Sequence, residues 1–226
     1  MVVINSMTIR INGEIVSNDD KWVYDLFGIE SFCPKDLFDQ LDKIPQGQPV
    51  DIEINSPGGY VYDGSEIYTA LINRKGEVNI TITGLAASMA SVIAMAGTNV
   101  QISPTAQIMI HNASGRGGGD YRAHEHYAMQ LKKTNDTISN AYAIKTGMSK
   151  EELFEMMDKE TWLTPNEALE LGFVDGILNG EQSLEYSFAA NYSSKLLPME
   201  VINKAKKTRE QEQLELLKLK GGNINE

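Results

Sequence analysis

The chain has 226 residues, which suits one medium-sized domain with a tail, and its 42% of hydrophobic residues is typical of a globular protein with a buried core. Its 20 basic and 31 acidic residues give a net charge of −11 at pH 7, which argues against nucleic acid and anionic membranes as partners. The N-terminal sequence lacks the pattern of a secretory signal, no apolar run approaches the roughly 20 residues that span a bilayer, and a single cysteine, Cys33, excludes an intrachain disulfide. We therefore expect a cytoplasmic protein.

Short β-like runs alternate with stretches of helical period along the first half of the chain. The runs "TIRIN", "VDIEIN", "VNITIT" and "AQIMIH" predict four strands, at residues 8–12, 50–55, 78–83 and 106–111. The stretch "YDGSEIYTALINRKG", between the second and third of them, has helical spacing and ends at Gly76. This β-α-β order predicts a parallel sheet with right-handed crossovers.

The sequence after the fourth strand is predicted to be mainly helical. The segment "SGRGGGD" contains four glycines and predicts a flexible link, and a long helix at 122–146 follows it, ended by Gly147. The stretch "LTPNEALELGF" predicts a further helix, with Thr164 as N-cap, Pro165 as its first residue and Glu167 as its third.

The domain organisation follows from a change in composition near residue 180. We expect one domain at residues 1–180, a polar linker at 181–198 and a charged, helical or disordered tail at 199–226. The tail places three apolar residues along one side of a helix: Leu214, Leu217 and Ile202. We expect this helix either to be disordered by itself or to pack on a partner.

One candidate nucleophile lies in the uncharged stretch "GLAASMASVIAMAG". Ser88 is flanked by alanines in a small-x-Ser-x-small pattern, which is that of a nucleophile elbow with alanine in place of both glycines. The helix that follows would direct its first N–H groups at an anion formed near Ser88. Taken alone, the pattern also fits a serine that only caps a buried helix. Ser91, one turn further on, is expected to face the core.

Two further motifs follow neighbouring strands. "NSPGG" comes at the end of the second strand, where Gly58 and Gly59 permit a turn whose N–H groups face a ligand and form an oxyanion hole. His111 ends the fourth strand. Each has an ordinary structural interpretation, but with Ser88 all three fall at the carboxyl ends of successive parallel strands, which is where ligands bind in open α/β sheets.

Metal binding is not predicted. His124 and His126 form an "HEH" motif, but on a helix their side chains point about 200° apart, so a surface position is favoured. We expect no metal and no cofactor.

Four motifs together carry a family resemblance. "INSPGG", "GLAASMASVIAMAG", "IMIHN" and "TWLTPNEALELGFVDGIL", in this order, resemble the Clp protease proteolytic subunit (ClpP) family of self-compartmentalising serine peptidases over about residues 8–178. "GLAASMASVIAMAG" and the start "IVSNDDKWVYDLFG" are most similar to the phage-encoded head maturation protease branch. The resemblance implies an α/β fold of the ClpP/crotonase type, with repeated β-β-α units, a parallel sheet, a long handle helix and a charged C-terminal tail helix.

The resemblance also implies roles for individual residues. Ser88 matches the nucleophile and His111 the general base, and the backbone N–H groups of Gly59 and Met89 match the oxyanion hole. The family usually has an aspartate two residues before the aromatic residue of the last motif, and here Glu160 takes that position. The sequence leaves one competing acid, Asp158. Asp175, in "GFVDGIL", is expected to be structural.

The implied activity is that of a serine endopeptidase in a heptamer-type ring or in stacked rings, cleaving unfolded polypeptides or, in the phage branch, capsid and scaffold proteins. The sequence is also compatible with an ATP-dependent Clp protease, which would need a separate AAA+ unfoldase because the chain contains no G-x-x-x-x-G-K-[ST] motif. An acyl-CoA enzyme of the crotonase fold and a non-catalytic ring or assembly protein are two further functions that the sequence leaves open.

Overall fold

The computed structural model describes residues 8–178 and 196–221, with side chains to residue 213, and within these ranges the chain forms eight strands and eight helices. The strands β1 to β8 are Thr8–Ile15, Ser31–Phe32, Val50–Gly59, Val78–Ala87, Asn99–Ile102, Gln107–Ile110, Thr161–Leu163 and Gly176–Ile177. The helices α1 to α8 are Lys21–Leu26, Pro34–Leu41, Val61–Ile72, Met89–Ala94, Tyr121–Thr146, Lys150–Asp158, Pro165–Glu170 and Met199–Gly221. The predicted α/β class is confirmed.

The sheet is parallel along its main path, in the order β2-β1-β3-β4-β5-β8. β4 is long enough to pair twice on one edge: residues 79–82 pair with β5, and residues 85–87 pair with β6. β7 then pairs with β6 in the antiparallel direction, an exception to the predicted parallel order. The carboxyl end of β4 therefore lies beside β6, which in turn pairs with β7, and not beside β5.

The core lies on one face of the central strands. Residues of β3 alternate between buried and partly exposed positions, as expected for a strand with one packed face. The central apolar residues of β1, β3 and β4 are at most 1% exposed: Ile9, Ile11, Ile52, Ile54, Ile80 and Ile82. Burial of such a side chain contributes about 1.5–3 kcal/mol, so this layer fixes the register of the strands.

The predicted boundaries agree with the structure for α5 and α7, whereas α3 ends at Ile72 and not at the predicted Gly76. α5 is Tyr121–Thr146, and Gly147 caps it with a φ of 73°, the left-handed conformation expected there. α7 has the predicted capping box, in which the Thr164 side chain accepts from Glu167 N–H. α6 was not predicted, although Ser149 and Glu152 form the same capping box at its start.

The tail forms α8, and its first half packs on α1 of the same chain, a contact that the sequence analysis did not foresee. Ile202 is fully buried in a small apolar cluster, apart from the main core, with Val16, Val23, Tyr24 and Cys33. Leu197 N–H donates to the Tyr24 hydroxyl at 3.1 Å. The predicted linker lies mostly outside the described residues, as do the side chains of Leu214 and Leu217, and the domain boundary near residue 180 stays a prediction.

Charged groups reinforce this contact. Lys206 Nζ lies 2.5 Å from the carboxylate of Asp20, which is almost fully buried. The Arg209 guanidinium lies over the Trp22 ring, 4.6 Å from its centre, in a cation–π contact. Within the described residues, no helix is both long and apolar enough to cross a membrane.

The docking of α8 depends on one apolar side chain. Ile202→Asp removes the apolar burial and places a carboxylate in the cluster, which costs more than about 2 kcal/mol. We expect trypsin to cut after Lys204 and Lys206 much faster in this variant, measured by mass spectrometry over time. Asn203→Asp adds the same charge on the exposed side of the helix and is the control. Equal cleavage rates in the two variants would show that α8 is not held through Ile202.

Candidate active site

Ser88 lies at a sharp junction between β4 and α4. Its backbone has φ 52° and ψ −124°, a conformation that side-chain-bearing residues rarely adopt. Ala86 and Ala87, just before it, are fully buried, and larger side chains would not fit there. The Ser88 side chain makes no capping hydrogen bond to the helix. The interpretation of Ser88 as a simple helix cap is therefore wrong.

Ser88 and His111 lie within hydrogen-bonding distance. The distance from Ser88 Oγ to His111 Nε2 is 2.8 Å. The pairing of β4 with β6 produces this contact, because Ser88 N–H donates to Met109 O at 2.9 Å and His111 follows two residues later. Burial lowers the pKa of His111, and the negative charge of Glu160 opposes part of this shift. The imidazole is therefore neutral near pH 7 and can accept the Ser88 proton.

Glu160 lies next to His111 through the antiparallel pairing of β6 with β7. Ile110 pairs with Thr161, so the next position in the register places His111 opposite Glu160. The Glu160 carboxylate accepts from Trp162 Nε1 at 3.3 Å and is exposed. Among the described residues, no hydrogen bond joins Glu160 to His111, and the two interact through charge.

Asp158, the competing acid, bonds the residue after the histidine. Its carboxylate accepts from Asn112 Nδ2 at 2.7 Å. Asn112 Oδ1 accepts in turn from Asn135 Nδ2 at 2.8 Å, and Ala113 N–H donates to Asn135 Oδ1 at 2.8 Å. These bonds hold the segment that follows His111 against α5 and the end of α6. They favour Glu160 over Asp158 as the partner of the imidazole.

Backbone strain coincides with these predicted residues. Over the described residues, 8–178 and 196–221, Ser88 and Glu160 are the two non-glycine residues with positive φ, at 52° and 50°. Conformations of this kind cost on the order of 1–3 kcal/mol each and persist only where surrounding contacts impose them. Their occurrence on both sides of His111 is an independent sign of a functional site.

The glycine turn packs against the Ser88 junction. A Cβ added at Gly58 would lie 2.6 Å from Ala87 O and 2.8 Å from Met89 N, so the turn touches the first peptide of α4. Ser56, buried under the turn, accepts from Gly58 N–H at 3.1 Å and donates to Gly13 O at 2.6 Å. Gly58 N–H is thereby occupied.

Gly59 and Met89 carry the two N–H groups that the resemblance implies for the oxyanion hole. Gly59 has a φ of 151°, and a side chain there would collide with Ile15 O. Tyr60 N–H donates to Ile15 O at 2.9 Å, and Gly59 is the register partner of Ile15 where β3 pairs with β1. Met89 is the first residue of α4, where N–H groups have no partner within the helix. The glycine turn and the first residue of α4 are therefore neighbours beside Ser88.

The structure also gives the positions of the other residues that the sequence analysis singled out. Ser91 is fully buried, as predicted. The Asp175 carboxylate accepts from Val100 N–H and from Lys145 Nζ, both at 2.7 Å, and ties β8 to β5 and α5, which agrees with a structural position. His124 and His126 lie on the exposed start of α5. Within the described residues, no group of three His, Cys, Asp or Glu side chains could hold a metal ion.

Three polar residues of the site were missed by sequence reasoning. Ser56 carries a weak signal, because it is a polar residue on a buried strand beside two glycines. Asn112 follows the predicted base directly, which is a further weak signal. Asn135 lies within a long helix, where nothing in the sequence marks it.

Comparisons with known proteins agree with this geometry. A family model described as Clp protease matches residues 33–181, more than half of the chain. ATP-dependent Clp protease proteolytic subunit 1 of Chlamydia muridarum is 36% identical over 142 residues, which cover 61% of this chain and 74% of that protein.

Similar values hold for relatives from other bacteria. The ATP-dependent Clp protease proteolytic subunit of Bacteroides fragilis is 35% identical over 140 residues, 61% of this chain and 68% of the relative. The subunit of Deinococcus radiodurans is 33% identical over 141 residues, which cover 62% of this chain and 69% of the relative. These matches favour a peptidase over an acyl-CoA enzyme or a non-catalytic ring. The chain belongs to the Clp protease family and is a serine endopeptidase.

Proposed function

We propose that Ser88, His111 and Glu160 form the catalytic triad of this endopeptidase, with the N–H groups of Gly59 and Met89 as its oxyanion hole. The observation that carries the proposal is the 2.8 Å contact between Ser88 Oγ and His111 Nε2 at a strained strand-to-helix junction. Nucleophile and base at this distance, with an acid beside the base, are the arrangement that acyl transfer requires.

The chemistry follows from these positions. Ser88 Oγ attacks the peptide carbonyl carbon while His111 Nε2 takes its proton, and the carbonyl oxygen becomes an oxyanion that accepts from Gly59 and Met89. The C–N bond breaks, and His111 gives the proton to the leaving amine. Water, deprotonated by His111, then attacks the acyl carbon; the bond from that carbon to Ser88 Oγ breaks, and Ser88 Oγ takes the proton from His111. The negative charge of Glu160 stabilises the imidazolium in both steps.

The first test is covalent labelling of Ser88. We expect a fluorophosphonate to add once to the wild-type chain, at Ser88, as detected by intact-protein mass spectrometry and peptide mapping. Ser88→Ala removes the adduct and peptide hydrolysis because the nucleophile is absent. His111→Ala slows labelling on the order of 100-fold or more because the general base is absent.

A control variant separates loss of the base from general damage. His124→Ala removes an exposed histidine on α5, away from the site, and should label at the wild-type rate. An adduct that persists in Ser88→Ala would overturn the assignment of the nucleophile.

The two candidate acids are distinguished by pH dependence. The charge of Glu160 raises the pKa of His111, so Glu160→Gln lowers that pKa, and the acidic limb of kcat/KM, where His111 loses its proton, moves to lower pH. We also expect kcat to fall about 10- to 100-fold, the worth of an interaction with a charged group. Asp158→Asn is the matched control and leaves the limb in place. A shifted limb in Asp158→Asn alone would reverse the assignment.

For the assembly we propose a ring of identical subunits, of the heptamer type and single or stacked, in the bacterial or phage-infected host cytoplasm. The start of α5 supports this, because it is exposed on nearly all sides and carries apolar side chains at Tyr121 and Met129, which are 65% and 55% exposed. A neighbouring subunit would bury them.

For the substrate we propose capsid or scaffold proteins during phage head assembly, on the strength of the sequence resemblance to that branch. A second candidate is a proteolytic subunit that works with an AAA+ unfoldase, which the names of the ATP-dependent relatives favour.

A degradation assay separates the two candidates. Cleavage of a co-expressed capsid or scaffold protein without ATP supports head maturation. Degradation of a stably folded, tagged protein only when an AAA+ unfoldase and ATP are added supports the second candidate, because this sequence has no nucleotide-binding motif of its own. Ser88→Ala, which retains the fold, is the control in both arms.

A further inference from the structure

A chain of buried hydroxyl groups leads from α5 to the nucleophile. Ser91 Oγ donates to Ser88 O at 2.6 Å and lies 2.8 Å from the Tyr142 hydroxyl. A serine hydroxyl has one proton to donate, and a carbonyl oxygen only accepts. The Ser91 proton is therefore used on Ser88 O, and Tyr142 must donate to Ser91. The order is Tyr142 O–H to Ser91 O–H to Ser88 O=C.

Water does not compete for these bonds. Ser91 is fully buried and Tyr142 is 1% exposed. Burial raises the pKa of Tyr142, so its hydroxyl stays a neutral donor over the working pH range. The Tyr142 ring also packs on Phe173, with ring centres 5.8 Å apart, which restricts its movement.

The carbonyl that receives these bonds belongs to the peptide group of the proposed oxyanion donor. Ser88 O and Met89 N–H are parts of one planar unit and point in opposite directions. Ser91 fixes the oxygen from two positions, through its hydroxyl at 2.6 Å and its N–H at 3.0 Å. Holding the oxygen fixes the direction of Met89 N–H, and hydrogen bonds in series also polarise the peptide, which strengthens that N–H as a donor.

We propose that Ser91 and Tyr142 are positioning residues that aim Met89 N–H into the oxyanion hole. This inference rests on the proposed function of Ser88 and Met89. The oxyanion exists only in the transition state and the tetrahedral intermediate, so an interaction with it changes kcat and leaves KM in place. His111 does not touch the hydroxyl chain, so its titration is unaffected.

The test compares kcat, KM and the pH profile of point variants on a short fluorogenic peptide. We expect Ser91→Ala to lower kcat about 5- to 10-fold, the worth of one hydrogen bond, with KM and the acidic limb unchanged. Tyr142→Phe should lower kcat about 2- to 3-fold. Because Tyr142 acts only through Ser91, the double variant should match Ser91→Ala and show no further loss.

A matched control exists on α5. Ser139 is also fully buried and donates to Asp136 O at 2.9 Å, without contact to Ser88. Ser139→Ala removes a buried hydroxyl of the same kind and should keep the wild-type kcat. Melting temperatures of all variants, measured in parallel, separate an effect on the site from lost stability. Fluorophosphonate labelling of Ser88 should slow in Ser91→Ala by a factor similar to kcat.

The outcomes distinguish a failure of this inference from a failure of the proposed function of Ser88. A wild-type chain that takes no adduct at Ser88 overturns the proposed nucleophile and this inference together. A wild-type chain that labels normally, with an unchanged kcat in Ser91→Ala, overturns only the inference. A raised KM, a shifted acidic limb or an additive loss in the double variant would likewise show that the two hydroxyls do not act through Met89 N–H.

Discussion

The backbone conformation of Ser88 is the constraint on which the site depends. A residue at φ 52° and ψ −124° costs on the order of 1–3 kcal/mol, and several contacts must offset it. Its N–H is held by Met109 O, its carbonyl by Ser91, and the turn at Gly58 packs against Ala87 and Met89 on either side of it. In this conformation Ser88 Oγ lies 2.8 Å from His111 Nε2. The strained backbone of Ser88 therefore goes with small residues before it and a glycine beside it.

The pairing of β4 with two strands explains the positions of His111 and Glu160. Its first half continues the parallel core with β5, and its second half pairs with β6, which ends at His111. β7 then runs antiparallel to β6 and places Glu160 at the next register position opposite His111. The proposed base and acid are thus set by strand pairing, while the proposed oxyanion donors lie at the end of β3, for Gly59, and at the start of α4, for Met89. Each group reaches the site from a different strand end, which gives a rigid arrangement.

The sequence predicted the elements that carry strong local signals. Four strands of apolar alternation, the capped helix at Thr164 and the long helix ended by Gly147 were all found. Strands of two or three residues, such as β2, β7 and β8, have no measurable period, and their existence depends on neighbours distant in sequence.

The dependence on residues distant in sequence also explains why the sequence left two candidates for the acid of the triad. Asp158 and Glu160 are two residues apart, and only the register with β6, together with the bond from Asn112, distinguishes them. The resemblance found Ser88 and His111 because a nucleophile and a base require specific residue types. It did not mark Tyr142, which meets Ser91 across 51 residues of sequence.

The long helix α5 contacts three parts of the structure around the candidate site. Asn135, Tyr142 and Lys145 are spaced by seven and three residues, which places them on one face of α5. Asn135 bonds the segment after His111, and Tyr142 bonds the Ser91 hydroxyl that holds Ser88. Lys145 bonds Asp175, just before β8. The opposite end of the same helix is exposed around Tyr121. A continuous helix is stiff over this length, so α5 holds the segment after His111, the Ser91 hydroxyl and Asp175 in fixed positions relative to one another.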